Sequence, residues 1–274
     1  MIRWHNSCNP TNANNKIFSQ PGFGLLSGLQ HRLISLFDKM PLDVADEQEQ
    51  VQDKKGIDKV HSREDSVEAL ANLELSYEQV RKELTNKWLD YEKSCFIYLY
   101  RGGGEPSNTL AAFDLDGTII KPKSNKRIPK SATDWQFFSA WTKVKLQQAL
   151  RENEARLVIF TNQNGVGLKV VALEEVQQRI ELVTKRLNIP CTVFVATEKD
   201  EFRKPNLGMF KLFTRAFNSS MKVALDRSFY CGDAVGYPSH SDADIKFAQS
   251  LKIPFIPPEK FVRGVKPKLS ESNE

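Results

Sequence analysis

Four short apolar runs, each ending in polar residues, organise the second half of the chain. Leu110–Ala111–Ala112–Phe113 leads into Asp114, and Leu157–Val158–Ile159–Phe160 into Thr161–Asn162–Gln163. Thr192–Val193–Phe194–Val195–Ala196 is followed by Phe202–Arg203–Lys204–Pro205, and Ser228–Phe229–Tyr230–Cys231 by Gly232–Asp233–Ala234. Runs of this length and composition predict strands. Around them, apolar residues recur at helical spacing over roughly 133–152, 171–188, 205–218 and 242–251. Strands alternating with helices predict an α/β fold, an open and mostly parallel sheet doubly wound with helices on both faces. Ligands of such sheets sit outside the carboxyl ends of the strands. All four polar signals therefore converge on one crevice.

The first part of the chain has a different pattern. Residues 1–37 contain no Asp or Glu, are rich in Asn, and carry Leu25, Leu26, Leu29, Leu33, Ile34 and Phe37 at near-helical spacing. This weakly resembles a mitochondrial transit peptide, with a flexible tail bearing one short amphipathic helix as the alternative. Residues 41–65 are polar and charged and read as linker. From 66 to 93 a helix is predicted, because Leu70, Leu73, Tyr77, Val80, Leu84, Trp88 and Tyr91 recur at spacings of three and four. That stripe suits packing on the following domain, with coiled-coil pairing as the alternative. A strand-like run from Phe96 to Tyr100 and a glycine-rich turn at 101–106 follow. The expected organisation is an extension over 1–65, a helix over 66–93, an α/β domain over 94–263 and a polar tail over 264–274.

Candidate chemistry starts at Asp114–Leu115–Asp116–Gly117–Thr118. Alternate strand residues share a face, so Asp114 and Asp116 project together where the first strand ends. One carboxylate can attack an electrophile while the other moves a proton. Like charges this close call for a cation, so a Mg²⁺ site is implied. Thr161 offers a hydroxyl donor, with neighbouring amides at a loop or helix start adding others. Lys204 offers a compact positive charge, and Pro205 after it suits a first helical position. Lys121, Lys123, Lys126, Arg127 and Lys130 crowd the segment after the Asp pair, with no acid before Asp134. Such a run is a solvated loop or a surface for backbone phosphates.

Asp114-x-Asp116-Gly117-Thr118, Thr161, Lys204 and Gly232–Asp233 together resemble the four-motif set of the haloacid dehalogenase-like phosphatases. Within that superfamily the chain resembles the DNA 3′-phosphatase domain of the polynucleotide kinase/phosphatase family. The stretches concerned are Phe113–Ile120, Phe160–Gln163, Ala196–Thr197, Phe202–Pro205 with Gly208–Met209, Gly232–Ala234 with Gly236, Ser241–Asp244 with Phe247–Ala248, and Pro254–Phe255 leading to Pro258–Glu259. Trp88 resembles a Trp that precedes the domain in the family, and the likeness covers about 86–263. It implies a haloacid dehalogenase-like fold in which Asp114 attacks phosphorus and Asp116 serves as acid and then base. It also implies that Asp114, the Asp116 carbonyl and Asp233 hold Mg²⁺, and that Thr161, Asn162 and Lys204 bind phosphate. A Lys-Asp pair usual in the family is replaced by Pro238 and Ser239, leaving Asp242 or Asp244 as the supporting acid. The segment after the first strand is a flap in this superfamily. Lys121, Lys123, Lys126 and Arg127, with Arg203, would then contact DNA, although Arg203 could instead pair with Asp200 or Glu201.

Composition narrows the remainder. The chain has 274 residues, 27% charged and 40% hydrophobic, with net charge +5, which allows an anionic partner without demanding one. Cys8, Cys95, Cys191 and Cys231 include no C-x-x-C pair, so a reducing compartment fits and no zinc cluster is indicated. No apolar stretch approaches membrane-spanning length. The sequence contains no Gly-x-x-x-x-Gly-Lys-[Ser/Thr] loop, so the resemblance implies 3′-phosphatase activity on DNA ends without 5′-kinase activity. Repair proteins are candidate partners, a monomer is favoured, and the nucleus, or alternatively the mitochondrion, is the expected site of action. A small-molecule phosphatase of the same superfamily and a non-catalytic repair scaffold are the competing readings.

Overall fold

The computed structural model describes residues 78–264, except 127, 220, 238 and 240. Expectations for 1–77, for Arg127 and for the tail beyond Gly264 lie outside the described residues. Seven strands form the main sheet: β1 (Trp88–Tyr91), β2 (Cys95–Tyr100), β3 (Leu110–Phe113), β6 (Arg156–Asn162), β7 (Cys191–Ala196), β8 (Phe229–Cys231) and β9 (Phe255–Ile256). Their order is β1-β2-β7-β6-β3-β8-β9. The five from β7 to β9 run parallel, and β2 and β1 close one edge antiparallel. A separate two-stranded ribbon pairs β4 (Ile120–Lys121) with β5 (Gln136–Phe137).

The unbroken apolar runs follow from burial on both faces of the sheet. With a side-chain period of two, Ile97, Ala112, Val158, Phe160 and Phe194 enter one core, while Tyr98, Ala111, Phe113, Ile159 and Val193 enter the other. The first core is covered by a helical segment over 78–84, by α4 (Gly208–Ala216) and by α5 (Ala243–Ser250). The second is covered by α1 (Thr142–Glu152), α3 (Leu173–Leu187) and α6 (Pro258–Arg263); the short α2 (Asn164–Gly167) leads into α3. Helices on both faces make the sheet doubly wound, as the alternation predicts. From β3 the chain winds outward through β6 to β7, then returns across β3 to add β8 and β9. The winding reverses between β3 and β8, and a crevice at their carboxyl ends is the usual ligand position in such sheets.

Three sequence expectations require correction. The helix predicted to run to 93 stops at 84, because Asn86 adopts a left-handed conformation (φ 57°) and its N–H bonds to Leu99 O. Trp88 to Tyr91 then pair antiparallel with β2, burying Leu89 and Tyr91, and Trp88 stacks on Tyr98. Trp88 and Tyr91, three apart in the predicted stripe, therefore fall on opposite faces of the sheet, and Leu89 shares the face of Tyr91. The helix predicted over 133–152 begins only at Thr142, since Gln136 and Phe137 are drawn into the ribbon with β4. Pro205 likewise sits in the turn before α4, which starts at Gly208.

Phe194 is fully buried and packs on Phe160 at 5.4 Å and on Phe217 at 5.6 Å between ring centroids. Phe194→Ala should lower unfolding free energy by about 3–5 kcal/mol, measured as a reduced urea midpoint with unchanged slope.

Candidate active site

Each polar signal lies at or beyond the carboxyl end of a parallel strand. Asp114 follows β3, Thr161 and Asn162 close β6, Gly232 and Asp233 follow β8, and Lys204 stands in the loop after β7. Gly117, at φ 81°, turns the chain immediately after the Asp pair. A Cβ on Gly117 would lie 2.2 Å from Asp233 Oδ2, so the loop after β3 rests against the carboxylate from β8. A Cβ on Gly232 would lie 2.5 Å from the Asp244 carboxyl carbon. Close approach of an acidic side chain calls for glycine at both positions, and at Gly117 the positive φ calls for it as well.

Lys204 is the centre of the site. Its ammonium is buried and donates to Asp114 Oδ1 (2.7 Å), Asp244 Oδ1 (2.7 Å) and Tyr230 Oη (2.8 Å). Tyr230 in turn donates to Asp244 Oδ1 (2.9 Å), and Ala234 N–H donates to Asp244 Oδ2 (3.0 Å). Burial disfavours the Lys204 ammonium, but Asp114 and Asp244 overcome it and hold its pKa above the ordinary lysine value. Burial pushes the Asp114 carboxyl well above the ordinary range; Lys204 pulls against this, while Asp244 and Asp233 add to it. Asp233 is open to solvent as a residue, yet burial of its carboxyl against the Gly117 loop, beside Asp244, raises it to about 6.

Asp114, Asp233 and Asp244 each place an oxygen within 4.8 Å of the other two. Hard oxygen donors at this density suit a small divalent cation. Asp244 is the acid that joins the cluster. Asp242, the alternative from the sequence, instead precedes α5 as a partly exposed residue paired with Lys246 at 2.6 Å. The side chain of Asp116 stands outside the triad and accepts from Gln163 Nε2 at 2.5 Å. Thr161 is buried, and its Oγ1 accepts from the same Gln163 nitrogen at 2.9 Å. Asn162, expected at the phosphate, has a different job. Its amide accepts from Lys204 N–H and donates to Lys204 O, both at 3.0 Å, clamping the backbone that delivers the ammonium. Tyr230 and Gln163 were missed in the sequence; Gln163 directly follows Thr161 and Asn162, and Tyr230 lies inside an apolar run.

The basic segment is rooted at the site. Ile119 and Ile120 N–H bond to Leu115 O, Gly117 N–H bonds to Ile120 O, and Phe138 N–H bonds to Ile119 O. Lys121, Lys123, Lys126 and Lys130 are exposed on this flap. Asp134 closes it by accepting from Ser124 N–H and Oγ–H and from Lys130 N–H, contacts that hold its carboxyl down at about 2. Arg203 is half-buried and forms no ion pair among the described residues, so the alternative pairing with Asp200 or Glu201 is not present. Its Nη1 is buried without a hydrogen-bond partner among those residues.

Because Asp233 loses its proton only above about pH 6, protons compete with a cation below that point. Divalent-cation affinity, probed with Mg²⁺ by calorimetry, should weaken as the pH falls below 6, with Asp233 contributing up to about tenfold per unit. A flat profile down to pH 5 would remove Asp233 from the ligand set.

The chain is similar to known proteins. The polynucleotide kinase 3 phosphatase family model matches residues 109–262. The chain is 40% identical over 172 residues to a bifunctional polynucleotide phosphatase/kinase of Schizosaccharomyces pombe, covering 62% of this chain and 41% of that one. It is 34% identical over 216 residues to a polynucleotide 3′-phosphatase of Arabidopsis thaliana, covering 71% of this chain and 30% of the relative. With the polynucleotide 3′-phosphatase of Saccharomyces cerevisiae it shares 32% identity over 209 residues, 56% of this chain and 87% of the yeast protein. It thus spans less than half the length of the first and second of these relatives and most of the third. The matched residues contain the whole cluster from Asp114 to Asp244, and the chain belongs to the polynucleotide kinase 3 phosphatase family.

Proposed function

We propose that this chain is a Mg²⁺-dependent polynucleotide 3′-phosphatase that converts 3′-phosphate ends at DNA breaks into 3′-hydroxyls. The observation that carries the reading is Asp114 at the carboxyl end of β3, held by the buried Lys204 ammonium, with Asp116 two residues further on. Bound Mg²⁺ would supply charge neutralisation on the phosphoryl oxygens, held by Asp114, Asp233 and the Asp116 carbonyl, with Asp244 supporting.

The chain's own residues account for the two steps. An Asp114 oxygen forms a bond to phosphorus as the bond to the 3′ oxygen breaks, giving an aspartyl-phosphate. Asp116 gives its proton to the departing 3′ oxygen. The resulting Asp116 carboxylate then takes a proton from water as that water attacks phosphorus, releasing inorganic phosphate and restoring Asp114. Lys204 keeps the nucleophile in place, and the Thr161 hydroxyl donates to a phosphoryl oxygen. The flap lysines neutralise neighbouring backbone phosphates, contributing affinity without reading sequence. A DNA substrate places the enzyme's work in the nucleus, with the mitochondrion as the other compartment that holds DNA.

Asp114→Asn should abolish release of phosphate from a 3′-phosphorylated oligonucleotide while leaving the urea midpoint near that of the parent. Chelation with EDTA should stop the reaction and Mg²⁺ should restore it; full turnover in excess EDTA would overturn the metal assignment. Phosphorylation of 5′-hydroxyl ends with ATP should be undetectable.

Replacing Lys121, Lys123 and Lys126 with Ala should weaken action on the oligonucleotide far more than on a small aryl phosphate. Loss of two to three phosphate contacts should reduce the log–log salt slope by roughly 1.4 to 2.7. Equal losses on both substrates, measured as kcat/KM across a salt series, would assign the flap to the catalytic centre rather than to DNA. Absence of any preference for the oligonucleotide would favour a metabolite substrate.

A further inference from the structure

Arg179 is a buried cation that the reaction above leaves without a task. It lies on α3, 3% exposed, and its Nη2 donates to Gln163 Oε1 at 3.4 Å. Its Nε has no hydrogen-bond partner among the described residues. Burying a guanidinium is costly unless its surroundings use it, and among the described residues its side-chain hydrogen-bond partner is this one amide. Gln163 is itself buried and touches both Asp116 and Thr161.

The amide can face two ways, and the difference is chemical. Arginine donates and never accepts, so it selects the orientation that presents Oε1 to α3. The two Nε2 hydrogens then point at Asp116 Oδ2 and Thr161 Oγ1. A reversed amide would set an oxygen against the Asp116 carboxylate and deprive Thr161 of its donor. In the selected orientation Asp116 is tethered by one oxygen, leaving Oδ1 to exchange a proton with the leaving group and with water. Thr161 Oγ1 accepts from Gln163, so its only hydrogen remains to donate elsewhere. One buried charge thereby fixes the proton-transfer group and a phosphate donor while touching neither.

We propose that Arg179 is a positioning residue for phosphoryl transfer, acting through the side-chain amide of Gln163 to orient Asp116 and Thr161. The inference rests on the phosphatase reading given above. Its signature is a dependence on the leaving group, since a 3′ alkoxide needs a well-placed proton and a nitrophenolate does not.

The test measures the first chemical step as single-turnover release of the leaving group, from a 3′-phosphorylated oligonucleotide and from p-nitrophenyl phosphate. With the oligonucleotide, Arg179→Met should slow release by about ten- to a hundredfold, the lower part of what proton transfer contributes, with KM changed less than about twofold. With the aryl ester, the loss should stay within about threefold, because only the Thr161 contribution is disturbed. Gln163→Met should reproduce this split, and the double variant should be no slower than Gln163→Met alone, the non-additivity expected of groups acting in series. Arg179→Lys, which keeps a charge and a donor, should recover most of the oligonucleotide rate. Should Arg179→Met fail to fold, Gln163→Met and Arg179→Lys still decide the matter. Equal losses on both substrates, or additive effects in the double variant, would overturn the role of Arg179. A wild-type protein that acts on small alkyl phosphates but not on the oligonucleotide would instead overturn the substrate reading, and the same split would then be read on the alkyl phosphate.

Discussion

A single buried ammonium organises this molecule. Lys204 comes from the loop after β7, and its three partners come from the end of β3, from inside β8 and from the first turn of α5. None of these groups is near the others in sequence, and an unpaired charge at this depth would cost several kcal/mol. The contact is satisfied only when the parallel strands are in register and α5 is docked, so the completed fold and the assembled site are the same event. Electrostatics also set the balance of the site. Asp114, Asp233 and Asp244 against Lys204 leave two negative charges when all are ionised, matching one divalent cation.

Close approach is the second constraint. Gly117 and Gly232 bring backbone against the carboxylates of Asp233 and Asp244. The acidic cluster is therefore fitted into the turns that leave β3 and β8, at the point where the winding of the sheet reverses. Gly117 has a second duty. Its N–H donates to Ile120 O, so the turn that admits Asp233 also starts the flap. Acidic cluster and basic surface share one root.

Much of this was legible in the sequence because burial on two faces leaves continuous apolar runs, and those runs end where the chemistry begins. Asp114, Thr161, Lys204 and Asp233 could be placed from their position after such runs alone. Trp88 and Tyr91 could not, because their spacing of three suits a helix; the left-handed turn at Asn86 and pairing with β2 make the segment an edge strand that puts them on opposite faces. The ribbon of β4 and β5 was hidden for a related reason, being two residues long on each side and set by long-range hydrogen bonds. Asn162 and Gln163 show a different limit. Local pattern marks an amide near the phosphate, but which backbone or carboxylate it meets depends on loops arriving from 42 and 47 residues away.

Cys95, Cys191 and Cys231 lie fully buried within strands of the sheet. Burial raises all three thiols, Cys191 to about 12, and at Cys231 the carboxylates of Asp114 and Asp244 add to the rise. Oxidants and alkylating agents act on the exposed thiolate, and none of these sulfurs supplies it. Cys231 immediately precedes Gly232 and Asp233, so a sulfenate there would enter the crevice wall. Burial keeps that sulfur protonated and out of reach, so the crevice wall carries no reactive thiolate among the described residues.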